Sequence, residues 1–247
     1  MLQKTNGIIL NHTRYGESSA IVHIFTRELG MRSYMVNGVF GKKKKDKFLL
    51  LQPLNLLELE VYHKEKKNIQ RIKEFKLCRI QERIPFSQER RAQAFFITEI
   101  LSRLLAGENC NPQLYDFIVD TILFLDSENK GIENFHLWFL FQLTVFMGFK
   151  PDEKHAGLFQ YFDLLEGYFT NNEPKHSFFL SQSETKLFSR LFIIKNETLS
   201  QLAINVQERK ILLKSLISLY ERHFPGTLKI RSIEVLSALF YESQKDE

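Results

Sequence analysis

The hydrophobic period of this chain changes once, and that change restricts its architecture more than any other feature. Between residues 7 and 77 apolar side chains tend to recur at every second position. After Pro85-Phe86-Ser87 they recur at helical spacing. Segments 7–14, 18–27, 31–39, 54–62 and 68–77 read as strands rich in Ile, Val, Phe and Thr, with Leu29-Gly30 as a turn. The fourth alternates cleanly, with Leu57, Leu59 and Val61 on one face and Glu58, Glu60 and Tyr62 on the other. Five strands in about 80 residues suggest a small closed barrel, and at this size that is the OB architecture; an SH3-like barrel has the same period.

The remainder reads as helices. Ser87 is placed to cap a helix through residue 105, whose apolar face carries Phe95, Phe96, Ile100, Leu101, Leu104 and Leu105. Asn111-Pro112 opens a second, to about residue 125. Segment 131–147 is apolar on nearly every side and belongs at the centre of a bundle, with Gly148 and Pro151 ending it. Residues 150–180 are irregular. Ser181-Gln182-Ser183-Glu184 fits a capping box, and helices are expected at 184–194, 197–204, 207–223 and 231–243. The expected fold is a two-domain α+β chain: a five-stranded OB-fold barrel over 1–80, then an all-α bundle over 81–247 with an irregular insertion at about 150–180.

Charge divides along the same line. Residues 1–85 carry 17 Lys and Arg against 8 Asp and Glu, and residues 86–247 carry 17 against 21. A basic first module attracts phosphate or an anionic surface. Its densest part is Phe40-GKKKKDK-Phe48. The two cysteines, Cys78 and Cys110, build neither a disulfide framework nor a cysteine zinc site. With no apolar signal segment and no run of roughly 18 uncharged apolar residues, a soluble cytoplasmic protein is expected.

No phosphate-binding glycine loop, H-E-x-x-H, G-x-S-x-G or calcium loop is present. None of the seven histidines pairs closely with another histidine or a cysteine; His136, inside the apolar helix, reads as a core residue. Glu58 and Glu60 read as a solvated strand face. No enzyme is indicated.

An OB barrel binds single strands with a basic groove and aromatic platforms. Strand periodicity puts Arg32, Tyr34 and Val36 on one face, His12 and Arg14 on another, and His23 and Arg27 on a third. The third strand leads into Lys42, Lys43, Lys44, Lys45 and Lys47. Phosphate contact is therefore assigned to Arg14, Arg27, Arg32 and these five lysines. Tyr34 is a stacking candidate, although it and Phe40 also suit barrel packing. A protein–protein adaptor, with the basic module docking an acidic partner, fits the same charge pattern.

These residues also resemble a known family. Arg14-Tyr15-Gly16-Glu17-Ser18, Phe25-Thr26-Arg27-Glu28-Leu29-Gly30, Val36-Asn37-Gly38, the basic run and Leu51-Gln52-Pro53 stand in the order found in the N-terminal domain of the RecO recombination mediators. Phe146-Met147-Gly148-Phe149-Lys150-Pro151 resembles that family's helix end. The resemblance implies binding of single- and double-stranded DNA, strand annealing, and loading of the recombinase RecA onto DNA coated by single-stranded DNA-binding protein. It implies RecR and, in some organisms, RecF as partners. It also implies docking of the acidic, apolar-ended tail of the single-stranded DNA-binding protein on the helical domain, for which Arg103, Phe135 and Phe139 are the candidates. Many relatives carry a four-cysteine zinc site after that helix end. No cysteine lies between 152 and 180 here, so no structural zinc is expected, and aromatic packing by Phe159, Tyr161, Phe162, Tyr168 and Phe169 must hold the segment instead.

Overall fold

The computed structural model describes residues 1–40, 45–127 and 130–240, except for the side chains of Lys45 and Asp46. These residues form two compact units, Met1–Ser127 and Glu128–Glu247.

The first unit is built on a closed five-stranded barrel of order β1-β2-β3-β5-β4. Its strands are β1 (Leu2–Tyr15), β2 (Ser19–Thr26), β3 (Gly30–Val36), β4 (Leu56–Tyr62) and β5 (Ile69–Leu77), with the short helix α1 (Lys45–Leu49) between β3 and β4. β3 and β5 pair in parallel and close the cylinder; every other pairing is antiparallel. Ile9, Val22, Ile24, Tyr34, Val36, Leu57, Leu59 and Val61 fill its interior. β1 begins earlier than its apolar pattern indicates, because Leu2 to Ile8 pair along β4 whatever their side chains.

The unbroken run Ile8-Ile9-Leu10 is buried on both sides of the sheet. Helix α2 (Gln88–Leu104) packs against β1 from outside. The Ser87 side chain caps it by accepting from the Arg90 N–H at 3.3 Å. Helix α3 (Pro112–Asp126) is capped by Asn111, which accepts from the Leu114 N–H at 3.1 Å. Its Tyr115 ring lies 6.1 Å from that of Phe25 on β2. At its far end the Asp126 carboxylate accepts from the backbone N–H groups of Glu82, Arg83 and Ile84, each at 2.9 Å. Gly30, the first residue of β3, has φ +69° and sits so close to the Asn109 backbone that a Cβ would come to 2.5 Å from it. The change of period near residue 85 thus falls inside this unit, and two helices share it with the barrel.

The second unit is arranged around α4 (Phe135–Phe146), in which Phe135, Leu137, Phe139, Leu140 and Leu143 are fully buried. The Tyr220 hydroxyl donates to the Leu140 carbonyl at 2.8 Å, and the Arg209 Nε donates to Asn134 Oδ1 at 2.9 Å. The remaining helices are α5 (Gln182–Phe188), α6 (Val206–His223) and α7 (Ser232–Phe240); Asn196–Gln201 is a 3-10 helix where an α-helix was expected. The Glu184 carboxylate accepts from the Ser181 N–H at 2.9 Å, as the capping-box pattern indicates.

The irregular stretch contains a small sheet that its sequence does not announce. Strands β6 (Tyr161–Asp163), β7 (Tyr168–Thr170) and β8 (Phe179–Leu180) take the order β7-β6-β8. Strands of two or three residues are too short to show a period. Phe162 packs against Phe169 at 4.9 Å and Phe188 at 4.8 Å between ring centroids. Of the expected aromatics only Phe162 and Phe169 are buried; Phe159 stacks on His155 at 4.1 Å, and Tyr168 is exposed. Among the described residues no three His, Cys, Asp or Glu side chains converge to hold a metal.

Candidate nucleic-acid interface

Register decides which side chains share the barrel's outer face. Asn11 pairs with His23 and His23 with Ser33, giving one outward row across β1, β2 and β3. Two residues along, Thr13, Ile21, Met35 and Arg71 form the next row, extended onto β5 by its parallel pairing with β3. Ile21 and Met35 are half-buried and Arg71 is exposed. The Ser33 hydroxyl lies 2.9 Å from His23 Nδ1, and burial lowers the pKa of that imidazole. His23 therefore acts near neutral pH as a hydrogen-bonding group, not as a cation.

Cations stand at both ends of this face. At one end the β4–β5 loop carries Lys64, Lys66 and Lys67, none with an ion-pair partner among the described residues. Buried Gln70 pins that loop: its side chain accepts from the Lys64 N–H at 2.9 Å and donates to the carbonyls of Lys64 at 2.8 Å and Lys67 at 2.6 Å. At the other end is a cluster of rings and cations. Arg14 lies 5.0 Å from the centre of the Phe40 ring, and Phe40 lies 5.5 Å from Phe48. Phe48 meets His12 edge-on at 5.2 Å. Lys47 reaches to 5.7 Å from the centre of Phe75 and donates to the Asn37 carbonyl at 2.9 Å. Lys42, Lys43 and Lys44 and the side chain of Lys45 lie outside the described residues.

On the β4–β5 side of the barrel charge is cancelled locally. Lys73 pairs with Glu60 at 2.6 Å and Lys76 with Glu58 at 2.9 Å. The cations left without a carboxylate partner among the described residues therefore stand beside the β1–β2–β3 face, mostly at its two ends.

The sequence-derived residues fall unevenly on this arrangement. Arg14 and Lys47 belong to the ring-and-cation end. Arg32 sits at the other, its Nη1 donating to the Met31 carbonyl at 2.7 Å. Arg27 is held apart by Asp116. Tyr34 is corrected. The face it shares with Val36 is the barrel interior, where its ring is 0% exposed and cannot stack on a base. Burial pushes its hydroxyl pKa up to about 12. Phe135 and Phe139 are corrected too: both are 0% exposed, because other elements surround α4, so neither can line a docking pocket. Arg103 lies on α2, bonded to Glu99 at 2.9 Å, beside a groove lined by Leu10, Pro53 and Phe95. Lys64, Lys66, Lys67 and Arg71 had not been singled out. Their signal was the lysine-rich loop opening onto the strand that pairs with β3.

A family model described as recombination protein O N terminal matches residues 1–81, and one described as recombination protein O C terminal matches residues 87–232. The chain belongs to the recombination protein O family. RecO proteins similar to it span nearly its whole length. The DNA repair protein RecO of Flavobacterium psychrophilum is 35% identical over 239 residues, covering 96% of this chain and 98% of that one. The DNA repair protein RecO of Bacteroides fragilis is 35% identical over 243 residues, covering 97% and 100%. That of Phocaeicola vulgatus is 32% identical over 240 residues, with the same coverage. The OB-like barrel carries the match to the N-terminal model, and no described helix is long and apolar enough to cross a membrane.

Proposed function

We propose that this chain is a non-enzymatic DNA-binding mediator of recombinational repair. It binds single- and double-stranded DNA through the barrel of residues 1–80, anneals complementary strands, and helps load RecA onto DNA coated by single-stranded DNA-binding protein. The observation that carries this reading is the outer face of β1–β2–β3, which has cations at both ends with no ion-pair partner among the described residues, while the β4–β5 side of the barrel is ion-paired. OB barrels bind oligonucleotides on this face and its flanking loops. Annealing makes and breaks no covalent bond. It needs only a surface that screens two phosphate backbones from each other and holds unpaired strands together.

In this reading residues 81–247 serve partner docking: RecR, the tail of single-stranded DNA-binding protein, RecF in some settings, and RecA indirectly. Its place is the bacterial cytoplasm, at the nucleoid. The three similar proteins named above are called DNA repair proteins, which supports the repair context. The test is annealing of complementary oligonucleotides precoated with the cognate single-stranded DNA-binding protein, beside anisotropy titrations on bare single and double strands. Faster annealing and tight binding at low salt are expected. Absence of DNA binding at low salt would favour an adaptor whose basic barrel docks an acidic protein.

A further inference from the structure

Between the outer face of β2–β3 and the end of α2 lies a cleft of about 590 Å³. It is within the ~300–1,000 Å³ range of pockets that enclose small molecules. Its lining includes Asn11 and His23 from the strand face, Arg32 at the start of β3, His63 and Lys67 from the β4–β5 loop, and Ser102 from α2. The two sides differ chemically. Arg32 and Lys67 bring positive charge from the barrel. Arg32 spends one nitrogen on the Met31 carbonyl, and its other N–H groups have no partner among the described residues. Across from them the lining is uncharged: Ser102 in the last turn of α2, and Ala106 and Gly107 just beyond it. One carboxylate, Glu65, also lines the cleft, set in the loop between Lys64 and Lys66.

The cleft is held ready by hydrogen bonds that already exist. Gln70 fixes the loop through three bonds of 2.6–2.9 Å. Ser33 holds His23, and the Asn11 amide donates to Ser102 Oγ at 3.1 Å, tying the strand face to the helix. One demand is left unmet: the His63 Nδ1 is buried and has no partner among the described residues. Leaving such an atom unpaired costs free energy that a ligand can recover.

We infer that this cleft holds one unstacked nucleotide of a DNA single strand. The inference rests on the DNA-binding reading above and adds to it a defined subsite. The phosphate meets Arg32 and Lys67. The base enters between the strand face and α2, where the side chains of Asn11 and Ser102 and the buried His63 Nδ1 can meet its polar edge. A base pair inside a duplex cannot enter, because its edge is committed to its complement and its faces to the stack. The cleft therefore distinguishes single from double strands, whereas lysines that touch only phosphates do not.

The test compares the full-length wild type with two variants, Ala106→Trp, which fills the cleft from an exposed position, and Arg32→Gln, which removes its fixed cation. Each is titrated with a fluorescent 20-nucleotide single strand and the matching duplex at one salt concentration. Circular dichroism verifies the fold. Both variants are expected to bind the single strand about tenfold more weakly and the duplex within twofold of wild type. Single-strand affinity unchanged in Ala106→Trp, or an equal loss on both DNAs in both variants, overturns the subsite while leaving DNA binding intact. A wild type that binds neither DNA overturns the functional reading and the subsite with it.

Discussion

Arg27 grips Asp116 through two hydrogen bonds of 3.0 Å, one from Nε to Oδ1 and one from Nη2 to Oδ2, joining the end of β2 to helix α3. The pair explains why a basic residue in a basic module is poorly placed to meet DNA. Its hydrogen bonds and charge hold the Asp116 carboxyl below its usual range and raise Arg27 above its own. Asp116→Asn should leave the fold intact and weaken this tie. If Arg27 has only a structural role, the DNA affinity of that variant equals wild type; a rise in affinity would return Arg27 to the interface. Asp116 is depressed, so its contribution to stability is present above its unfolded pKa and is lost as pH falls through its folded one. The acid limb of a stability profile should be flatter in the variant.

The two cationic ends of the strand face should act separately. Alanine at Lys42, Lys43, Lys44 and Lys45, or at Lys64, Lys66 and Lys67, should weaken binding to every single-stranded sequence alike. Each phosphate deprived of its lysine should flatten the slope of log affinity against log salt by about 0.7. Combining the sets should nearly add the two effects if each set contacts its own phosphates. A set that leaves both affinity and slope unchanged is not part of the interface.

Tyr34 offers a sharp contrast between core and binding roles. Its hydroxyl is buried and makes no hydrogen bond of normal geometry among the described residues. Tyr34→Phe should stabilise the first unit by about 1 kcal/mol and leave DNA binding unchanged. Tyr34→Ala should cost about 3–5 kcal/mol. Urea unfolding together with anisotropy measures both, and weaker DNA binding by a well-folded Tyr34→Phe protein would contradict the burial argument.

The segment near residues 150–180 should depend on rings, not on metal. Phe162→Ala opens a gap among Phe169, Phe188 and its other neighbours and should cost about 3–5 kcal/mol. Incubation with a strong chelator should leave the melting temperature of the wild type where it was. A fall in that temperature, or stoichiometric zinc in untagged protein, would show the metal-free account to be mistaken.

His136 should make the second unit acid-sensitive. Burial, reinforced by the charge of Arg209, depresses its pKa from 6.5 to about 3. The folded state therefore favours the neutral ring. Stability from this site is complete above the unfolded pKa and falls as pH drops toward 3, by about 3 kcal/mol at pH 4. Urea unfolding of wild type and His136→Gln at pH 7.5 and pH 4 checks it. The variant should lose markedly less on acidification, and equal losses would remove His136 as the cause.

Much of this protein is legible in its sequence because local rules dominate where they apply. Alternating burial located all five barrel strands, and Ser87, Asn111 and Glu184 form the capping bonds their positions suggest. The apolar character of α4 placed it at the centre of its unit. The short sheet β6–β8 was hidden because its strands fall below the length at which a period can be seen.

The sequence by itself determined the strand and helix periods, the concentration of lysine and arginine before residue 85, and the family to which the chain belongs. Only the tertiary structure decided which face of each strand points outward. Periodicity separates two faces and cannot label them, so the face of Arg32, Tyr34 and Val36 looked available until barrel closure turned it inward, leaving Arg32 half-exposed only because it stands at the start of the strand. Pairing across the sheet likewise decided which charges remain available. It set Glu58 and Glu60 against Lys76 and Lys73 on one side and left Arg71 and the Lys64, Lys66 and Lys67 loop beside β3 without ion-pair partners among the described residues. Those relationships depend on separations of many residues along the chain, and no local pattern of hydrophobicity or charge encodes them.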